Sequence, residues 1–109
     1  MTIVEPGEFR TDFAGRSLVR AHREIAGYAQ TSGATRKQLA QVNGHQAGDP
    51  RRAAQAMIQF VETAGPPLRL VLGGDALARM RGKLASVAQE LEKWQDTTLA
   101  TAFEETSAR

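Results

Sequence analysis

Few side chains of this sequence have the types and spacing that catalysis or metal binding requires. The two histidines, His22 and His45, are far apart in the chain, and neither has a second metal ligand at the short spacing of a zinc site. Cysteine is absent, which excludes disulfides, thiolate nucleophiles and cysteine-ligated metals. We therefore expect no metal site, and both histidines are interpreted as ordinary surface or helix-face residues.

The residues that suggest nucleotide binding or acid/base chemistry also lack the neighbours they would need. Gly73-Gly74-Asp75 follows an apolar stretch, but the third glycine of a dinucleotide-binding fingerprint is missing. Tyr28 has no lysine one turn further along the chain to activate it, so it is interpreted as an aromatic residue on a helix face. Neither a P-loop nor a G-x-S-x-G motif occurs, so no self-contained catalytic set is visible.

Length and composition limit the class of protein. The chain has 109 residues, the size of one small domain, and 41% hydrophobic residues, which is typical of globular proteins. Its 14 basic and 12 acidic residues nearly balance, which does not favour nucleic-acid binding. The sequence contains no bilayer-length apolar run and no secretory signal pattern, so we expect a cytoplasmic protein without a membrane partner.

Two short strands are predicted, one at each end of a long connection. Thr2-Ile3-Val4 is β-branched throughout, and Pro6-Gly7 ends this first strand. The second strand, residues 68–72, is apolar except for Arg69 and follows Gly65-Pro66-Pro67. Apolar strands of this kind are typical of parallel sheets that are covered on both faces.

Two helices have clear start signals. Asp49-Pro50 predicts one start, because aspartate accepts hydrogen bonds from first-turn N–H groups and proline fits the first helical position. Asp75 predicts the start of a last, longer helix with a continuous apolar seam, formed by Leu77, Met80, Leu84, Val87, Leu91 and Trp94. This seam is too short for a free-standing coiled coil, so we expect it to cover a sheet or a partner helix.

The connection after the first strand is also predicted to be partly helical. Ser17 is a candidate cap for a helix with an apolar stripe of Leu18, Ile25 and Tyr28, and residues 35–43 have a weaker helical pattern. The crossover through the helix that begins at Pro50 would return the second strand parallel to the first. The predicted fold class is therefore α/β, with two parallel strands and three to four helices.

Several stretches, in the same order, resemble the C-terminal part of short-chain dehydrogenases/reductases. Pro6-Gly7, with Thr11 four residues after the glycine, is similar to the turn that follows the sixth strand of that family. Gly48-Asp49-Pro50 resembles the start of the family's last crossover helix, and residues 66–73 with Asp75-Ala76 resemble its seventh strand and final helix. The resemblance covers nearly the whole chain and implies the C-terminal part of a Rossmann-like, doubly wound parallel sheet.

The resemblance implies a nicotinamide site beyond the carboxyl end of the first strand. Pro6 and Gly7 would let the backbone approach the flat ring closely, and the backbone of Phe9 would bond the carboxamide. The Thr11 hydroxyl would bond the carboxamide or the pyrophosphate. The simpler alternative is that Pro6-Gly7 only ends a strand.

The same resemblance implies how the chain is divided. Residues 1–7 would form the strand and its Pro-Gly turn, and residues 8–47 a flap over the substrate, lined by Phe13 and Leu18. Residues 48–96 would form the crossover helix, last strand and terminal helix, followed by a polar tail over residues 97–109.

The implied function is that of the C-terminal part of an NAD(P)-dependent oxidoreductase acting on an alcohol or carbonyl substrate, with NAD or NADP as cofactor. The family's Gly-rich phosphate loop and its catalytic Ser, Tyr and Lys are not in this sequence, so the chain alone is not expected to transfer hydride. The exposed strand edge and the apolar seam also predict a homo-oligomer. The alternative is a non-enzymatic helical module for self-association.

Overall fold

A computed structural model describes residues 1–104 of the chain. Its regular elements are listed here in chain order: β1 (Ile3–Pro6), α1 (Ser32–Val42), α2 (Pro50–Glu62), β2 (Arg69–Leu72) and α3 (Gly74–Leu99). Short 3₁₀ turns occur at Asp12–Ala14 and Ala26–Tyr28. The contacts between Cα atoms divide the chain into a first unit of residues 1–76 and a second that starts at residue 77.

The strands β1 and β2 pair in parallel, as the sequence predicts. Ile3 is opposite Arg69 and Pro6 is opposite Leu72. Backbone hydrogen bonds continue beyond this ladder, because the Gly7 N–H donates to the Leu72 carbonyl at 2.8 Å. Since α1 and α2 lie between the strands in sequence, the α/β class and the strand–helix–strand order are confirmed.

The one charged residue of β2 is explained by an ion pair across the sheet. Arg69 Nη1 lies 2.8 Å from Glu5 Oε1. Glu5 is two residues beyond the direct partner of Arg69, so the two side chains are on the same face of the pleated pair. The pair therefore favours the observed register over a shift by one residue, which would place the two side chains on opposite faces.

The start of α2 follows the sequence signal closely. Asp49 has an extended backbone, and its Oδ1 accepts a hydrogen bond from the Arg51 N–H at 2.9 Å. Pro50 occupies the first helical position, where a missing N–H has no consequence. The helix ends at Glu62, just before the predicted stop at Gly65-Pro66-Pro67.

The helix predicted after Ser17 is wrong. Residues 18–25 have no regular structure, and only the short 3₁₀ turn Ala26–Tyr28 follows before α1 begins at Ser32. Most of the apolar stripe is not covered, since Ile25 is 55% and Tyr28 is 59% exposed, and an amphipathic helix is stabilised mainly by burial of its apolar face. The helical pattern at 35–43 is confirmed as α1, which starts three residues earlier than expected.

Arg36 of α1 holds part of the irregular segment. Its guanidinium donates to Glu24 Oε1 at 3.0 Å and to the Ala21 carbonyl at 3.2 Å. The Arg36 side chain is 29% exposed, whereas that of Glu24 is 76% exposed. Residues 18–25 are therefore attached to the fold through a side chain rather than through a backbone ladder.

Helix α3 is confirmed and begins one residue earlier than the sequence indicates, so Asp75 lies in its first turn. Its predicted seam is exposed, with Leu84 at 62%, Leu91 at 68% and Trp94 at 58%. The helix continues to Leu99, into the range predicted as a tail, and residues 105–109 of that tail lie outside the described part.

Few side chains of the described residues are fully covered. Only Ala14, Ala53 and Leu72 form the buried apolar core, together with the polar Gln46. Several large apolar side chains of the described residues are exposed instead, among them Val61 at 76% and Ile58 at 60%.

The cap of α2 provides a test of the fold. Asp49→Ala removes the acceptor for the Arg51 N–H, so we expect the free energy of unfolding to fall by about 1 kcal/mol. Asp49→Asn keeps the acceptor oxygen and should stay within about 0.5 kcal/mol of the original chain. Urea unfolding followed by circular dichroism, at one fixed protein concentration, measures both. An unchanged stability of Asp49→Ala would contradict the cap.

Candidate functional site

The candidate site lies at the carboxyl ends of β1 and β2, which parallel pairing brings to the same edge. Here the loop after β1 meets the first turn of α3. Asp75 Oδ2 accepts a hydrogen bond from the Glu8 N–H at 2.8 Å. This contact connects residues 67 positions apart in the chain and fixes the direction in which the loop leaves the sheet.

Gly7 leaves space for the same carboxylate. A Cβ atom at this position would overlap the Asp75 carboxylate, which would then have to move. The sequence suggested that Gly7 allows a ligand to approach the backbone. In the described structure, the missing side chain makes room for Asp75, whose bond to Glu8 forms the base of the loop.

A second connection links the loop to the start of α2. Phe9 and Gly48 form a parallel bridge in which the Gly48 N–H donates to the Glu8 carbonyl at 3.1 Å and the Arg10 N–H donates to the Gly48 carbonyl at 2.9 Å. The N–H and carbonyl of Phe9 itself take no part in these two bonds. In an extended strand the groups of neighbouring residues alternate in direction, so those of Phe9 face away from Gly48.

Gly48 allows this bridge to form. A Cβ atom there would lie 2.6 Å from both the Glu8 carbonyl oxygen and Phe9 Cδ1. The sequence marked Gly48 only as the residue before a helix cap. Its close approach to the loop depends on a contact between distant residues, which no local pattern indicates.

The loop forms one wall of a pocket of about 590 Å³. Its other walls come from the 3₁₀ turn at Asp12–Ala14, from α1, from the start of α2 and from Leu72. The lining residues are Pro6, Gly7, Glu8, Phe9, Thr11, Phe13, Ala14, Leu39, Val42, Gln46, Pro50, Ala53, Ala54, Met57 and Leu72.

Most of the site residues inferred from the sequence come together in this pocket. Pro6, Gly7, Phe9, Thr11 and Phe13 all line it. The remaining one, Leu18, is half-buried in the irregular segment and is not among the lining residues.

Thr11 has a structural bond that leaves its donor group available. Its Oγ1 accepts a hydrogen bond from the Phe13 N–H at 3.3 Å, which caps the 3₁₀ turn. A threonine hydroxyl has one donor and two acceptor positions. Thr11 can therefore hold the turn and donate its proton to a second group at the same time.

Gln46 is a site residue that the sequence did not reveal. It is only 5% exposed, and its Oε1 accepts from the Gly44 N–H at 2.9 Å. Its backbone carbonyl accepts two bonds from Arg10, from Nε at 3.1 Å and from Nη2 at 3.0 Å. These three bonds shape the pocket wall, and each involves a side chain, so hydrophobic periodicity does not detect them.

Residues 1–104 contain no cluster of three or more His, Asp or Glu side chains arranged to hold a metal ion. Within the same residues, no helix is long and apolar enough to cross a membrane.

Known proteins resemble the chain over most of its length, although no family model matches it. The oxidoreductase BOA17 of Botryotinia fuckeliana is 35% identical over 103 residues, which are 94% of this chain and 37% of that protein. An uncharacterized oxidoreductase of Schizosaccharomyces pombe is 29% identical over 92 residues, which are 84% of this chain and 31% of the relative. The crystal structure of a short-chain dehydrogenase from Streptomyces avermitilis is 42% identical, with a TM-score of 0.72, over 94% of this chain and 36% of the dehydrogenase.

The parallel strand pair, its crossover helices and these relatives define the chain as part of a Rossmann-like α/β oxidoreductase fold. More specifically, the chain belongs to the short-chain dehydrogenase/reductase family, as the sequence resemblance implied. It spans about a third of the length of the relatives it matches.

The contact between Gly7 and Asp75 can be tested by substitution. Gly7→Ala forces a methyl group against the carboxylate, so we expect the free energy of unfolding to fall by about 1–3 kcal/mol. The control is Gly82→Ala, where an added Cβ has no neighbour within 4 Å and alanine favours the helix by up to about 1 kcal/mol. Urea unfolding of both variants gives the comparison.

An Asp75→Ala background identifies the cause of any loss. If the carboxylate is the obstacle, Gly7→Ala lowers the free energy of unfolding less in this background than in the original chain. The reason is that the effects of substitutions at two contacting residues are not additive. Equal costs in the two backgrounds would contradict the proposed contact.

Proposed function

We propose that this chain supplies the nicotinamide-contacting loop and the substrate-covering walls of an NAD(P)-dependent oxidoreductase that acts on an alcohol or carbonyl group. The observation that carries the proposal is the loop from Pro6 to Thr11, which lies at the carboxyl edge of the sheet and lines the pocket. Ligands of open parallel sheets bind beyond this edge. The family relationship supports a nicotinamide as that ligand.

The backbone of Phe9 has the donor and acceptor that a carboxamide needs. Its N–H and carbonyl face away from the bridge to Gly48, so they are directed to the other side of the loop. A carboxamide offers an acceptor oxygen and a donor NH₂ group, which match these two backbone groups in a reciprocal pair. Because Gly48 and Asp75 fix the loop, this pair would be preorganised.

Thr11 and Pro6 would complete the contact. The Thr11 hydroxyl keeps its proton for a carboxamide or phosphate oxygen while it caps the 3₁₀ turn. Pro6 and Gly7 line the same pocket and would lie beside the ring. The bound nicotinamide would supply hydride transfer, whereas these residues would orient the ring and exclude water from it.

The reactive acid/base groups are not part of this proposal for the chain. No Tyr-x-x-x-Lys motif occurs in the 109 residues, and the single tyrosine, Tyr28, is 59% exposed and does not line the pocket. We therefore expect binding without turnover. Hydride transfer from reduced cofactor to a ketone by this chain alone would contradict that expectation.

Cofactor contact is tested by adding nicotinamide mononucleotide to the isotope-labelled chain and following backbone amides by NMR. We expect shifts at Gly7, Phe9 and Thr11. Nicotinic acid mononucleotide is the matched control ligand, because its carboxylate lacks the NH₂ donor. We expect it to bind at least about fivefold more weakly, as the loss of one paired hydrogen bond predicts.

Two results would contradict the proposed contact. One is equal affinity for the two mononucleotides, and the other is a set of shifted amides outside the loop. Thr11→Val removes the hydroxyl and keeps the backbone groups of the loop. It should weaken binding of nicotinamide mononucleotide, while the shift of the Phe9 amide persists.

We also propose that the chain associates with a second copy of itself through the seam of α3. Leu84, Leu91 and Trp94 are each more than half exposed, and such an apolar face favours association. The same surface supports the second candidate function, a non-enzymatic module for self-association. The two functions differ in cofactor binding, which only the first requires.

Sedimentation velocity tests the association. We expect the original chain to form a dimer or larger species at micromolar concentration, and Leu84→Glu to shift it toward monomer, because a buried unpaired charge opposes association. Gln89→Glu adds the same charge on the opposite face and should leave the distribution unchanged. A monomeric original chain, or equal effects of both variants, would overturn the proposal. Self-association without cofactor contact would favour the second function.

A further inference from the structure

We infer that the non-reacting part of the substrate is an uncharged, apolar group, and that it occupies the pocket beside the Pro6–Thr11 loop. This inference rests on the proposed function, since it concerns what that site accepts. It is carried by the chemical character of the walls that do not belong to the loop. Those walls are formed almost entirely by hydrocarbon side chains and the thioether of Met57.

Two helices supply most of this apolar wall. Leu39 and Val42 are three residues apart on α1 and are half-buried. Ala53, Ala54 and Met57 come from α2, where Ala53 is only 9% exposed. The small alanines leave room between the helix and the loop, and methionine adapts its shape to different apolar ligands.

Aromatic rings extend the apolar surface on the other side. Phe9 and Phe13 both line the pocket, and Phe13 is 69% exposed in the described structure. An exposed phenylalanine at the pocket wall gains burial when an apolar ligand covers it. The ring of Phe13 therefore favours a ligand with a hydrocarbon surface of its own.

The charges around the pocket oppose an anionic substrate. Among the lining residues only Glu8 is charged, and it is negative. The nearby guanidinium of Arg10 donates two hydrogen bonds to the Gln46 carbonyl and does not line the pocket. A carboxylate or phosphate on the substrate would lose its hydration without gaining a cation from these walls.

The size of the pocket fits a group larger than a short alkyl chain. Its volume of about 590 Å³ lies within the range of sites that hold medium-sized organic ligands. Such a volume accommodates a ring or branched hydrocarbon next to the reacting carbon. The inferred substrate class is therefore an alcohol or ketone with a cyclic or branched apolar substituent.

The direct test compares two ketones of matched shape on the full chain. One is 4-phenylcyclohexanone, and the other is 4-(4-oxocyclohexyl)benzoate, which adds a carboxylate to the phenyl ring. Methyl resonances of Leu39, Val42 and Met57 report binding by NMR. We expect the uncharged ketone to shift these resonances and to bind at least about tenfold more tightly than the carboxylate, because no lining cation compensates for its desolvation.

Variants on one turn of α2 provide the control. Met57→Glu places a charge in the pocket and should weaken binding of 4-phenylcyclohexanone at least about tenfold. Ile58→Glu adds the same charge at the adjacent position, which is 60% exposed and does not line the pocket, and should leave affinity within about twofold. Met57→Leu conserves volume and should retain binding.

Three outcomes would overturn the inference: no binding of the uncharged ketone at its solubility limit, equal or tighter binding of the carboxylate, or methyl shifts confined to residues outside the pocket. The ligand comparison needs no variant, so a failure of Met57→Glu to fold leaves the test intact. Failure of the proposed function is seen separately, as an absence of loop amide shifts with nicotinamide mononucleotide. Ketone binding without those shifts would show that the pocket binds an apolar ligand but that the loop does not contact a nicotinamide.

Discussion

The hydrogen bond from the Glu8 N–H to the Asp75 carboxylate holds the site together. It joins the loop after β1 to the first turn of α3, directly beyond the paired ends of the two strands. The carboxylate fits there because Gly7 has no side chain. A second close approach, at Gly48, attaches the same loop to the start of α2. The loop is therefore held by two contacts. Its remaining edge, which carries the N–H and carbonyl of Phe9, is the part that can face a ligand.

The described residues supply the structural parts of the proposed site, whereas no Tyr-x-x-x-Lys motif occurs in the 109 residues. The described residues form a loop held by hydrogen bonds, an apolar pocket and an exposed helix face. They cover only a small core, in which Leu72 is the largest buried apolar residue. The chain spans about a third of the length of its relatives, and many of its described apolar side chains are exposed.

The sequence predicted the elements whose signals are local. The cap at Asp49 with Pro50, the β-branched start of β1 and the apolar periodicity of α3 each act within a few residues, and each element was found. The helix after Ser17 was wrong because its apolar stripe has no surface to cover, which periodicity alone cannot reveal. Asp75 was expected only as a helix cap, and Gly48 only as the residue before one. Their roles in the site depend on partners tens of residues away, and those partners meet only after the strands have paired.

The irregular stretch of residues 18–25 has a consequence for how such enzymes diversify. It contributes nothing to the β1–β2 ladder, to the Phe9–Gly48 bridge or to the Asp75 contact, and Arg36 anchors it through Glu24 and Ala21. Insertions, deletions and substitutions are tolerated best where the backbone is exposed and unpaired. Evolution can therefore lengthen or rewrite this stretch while the paired ends of β1 and β2 and the loop beyond them stay the same.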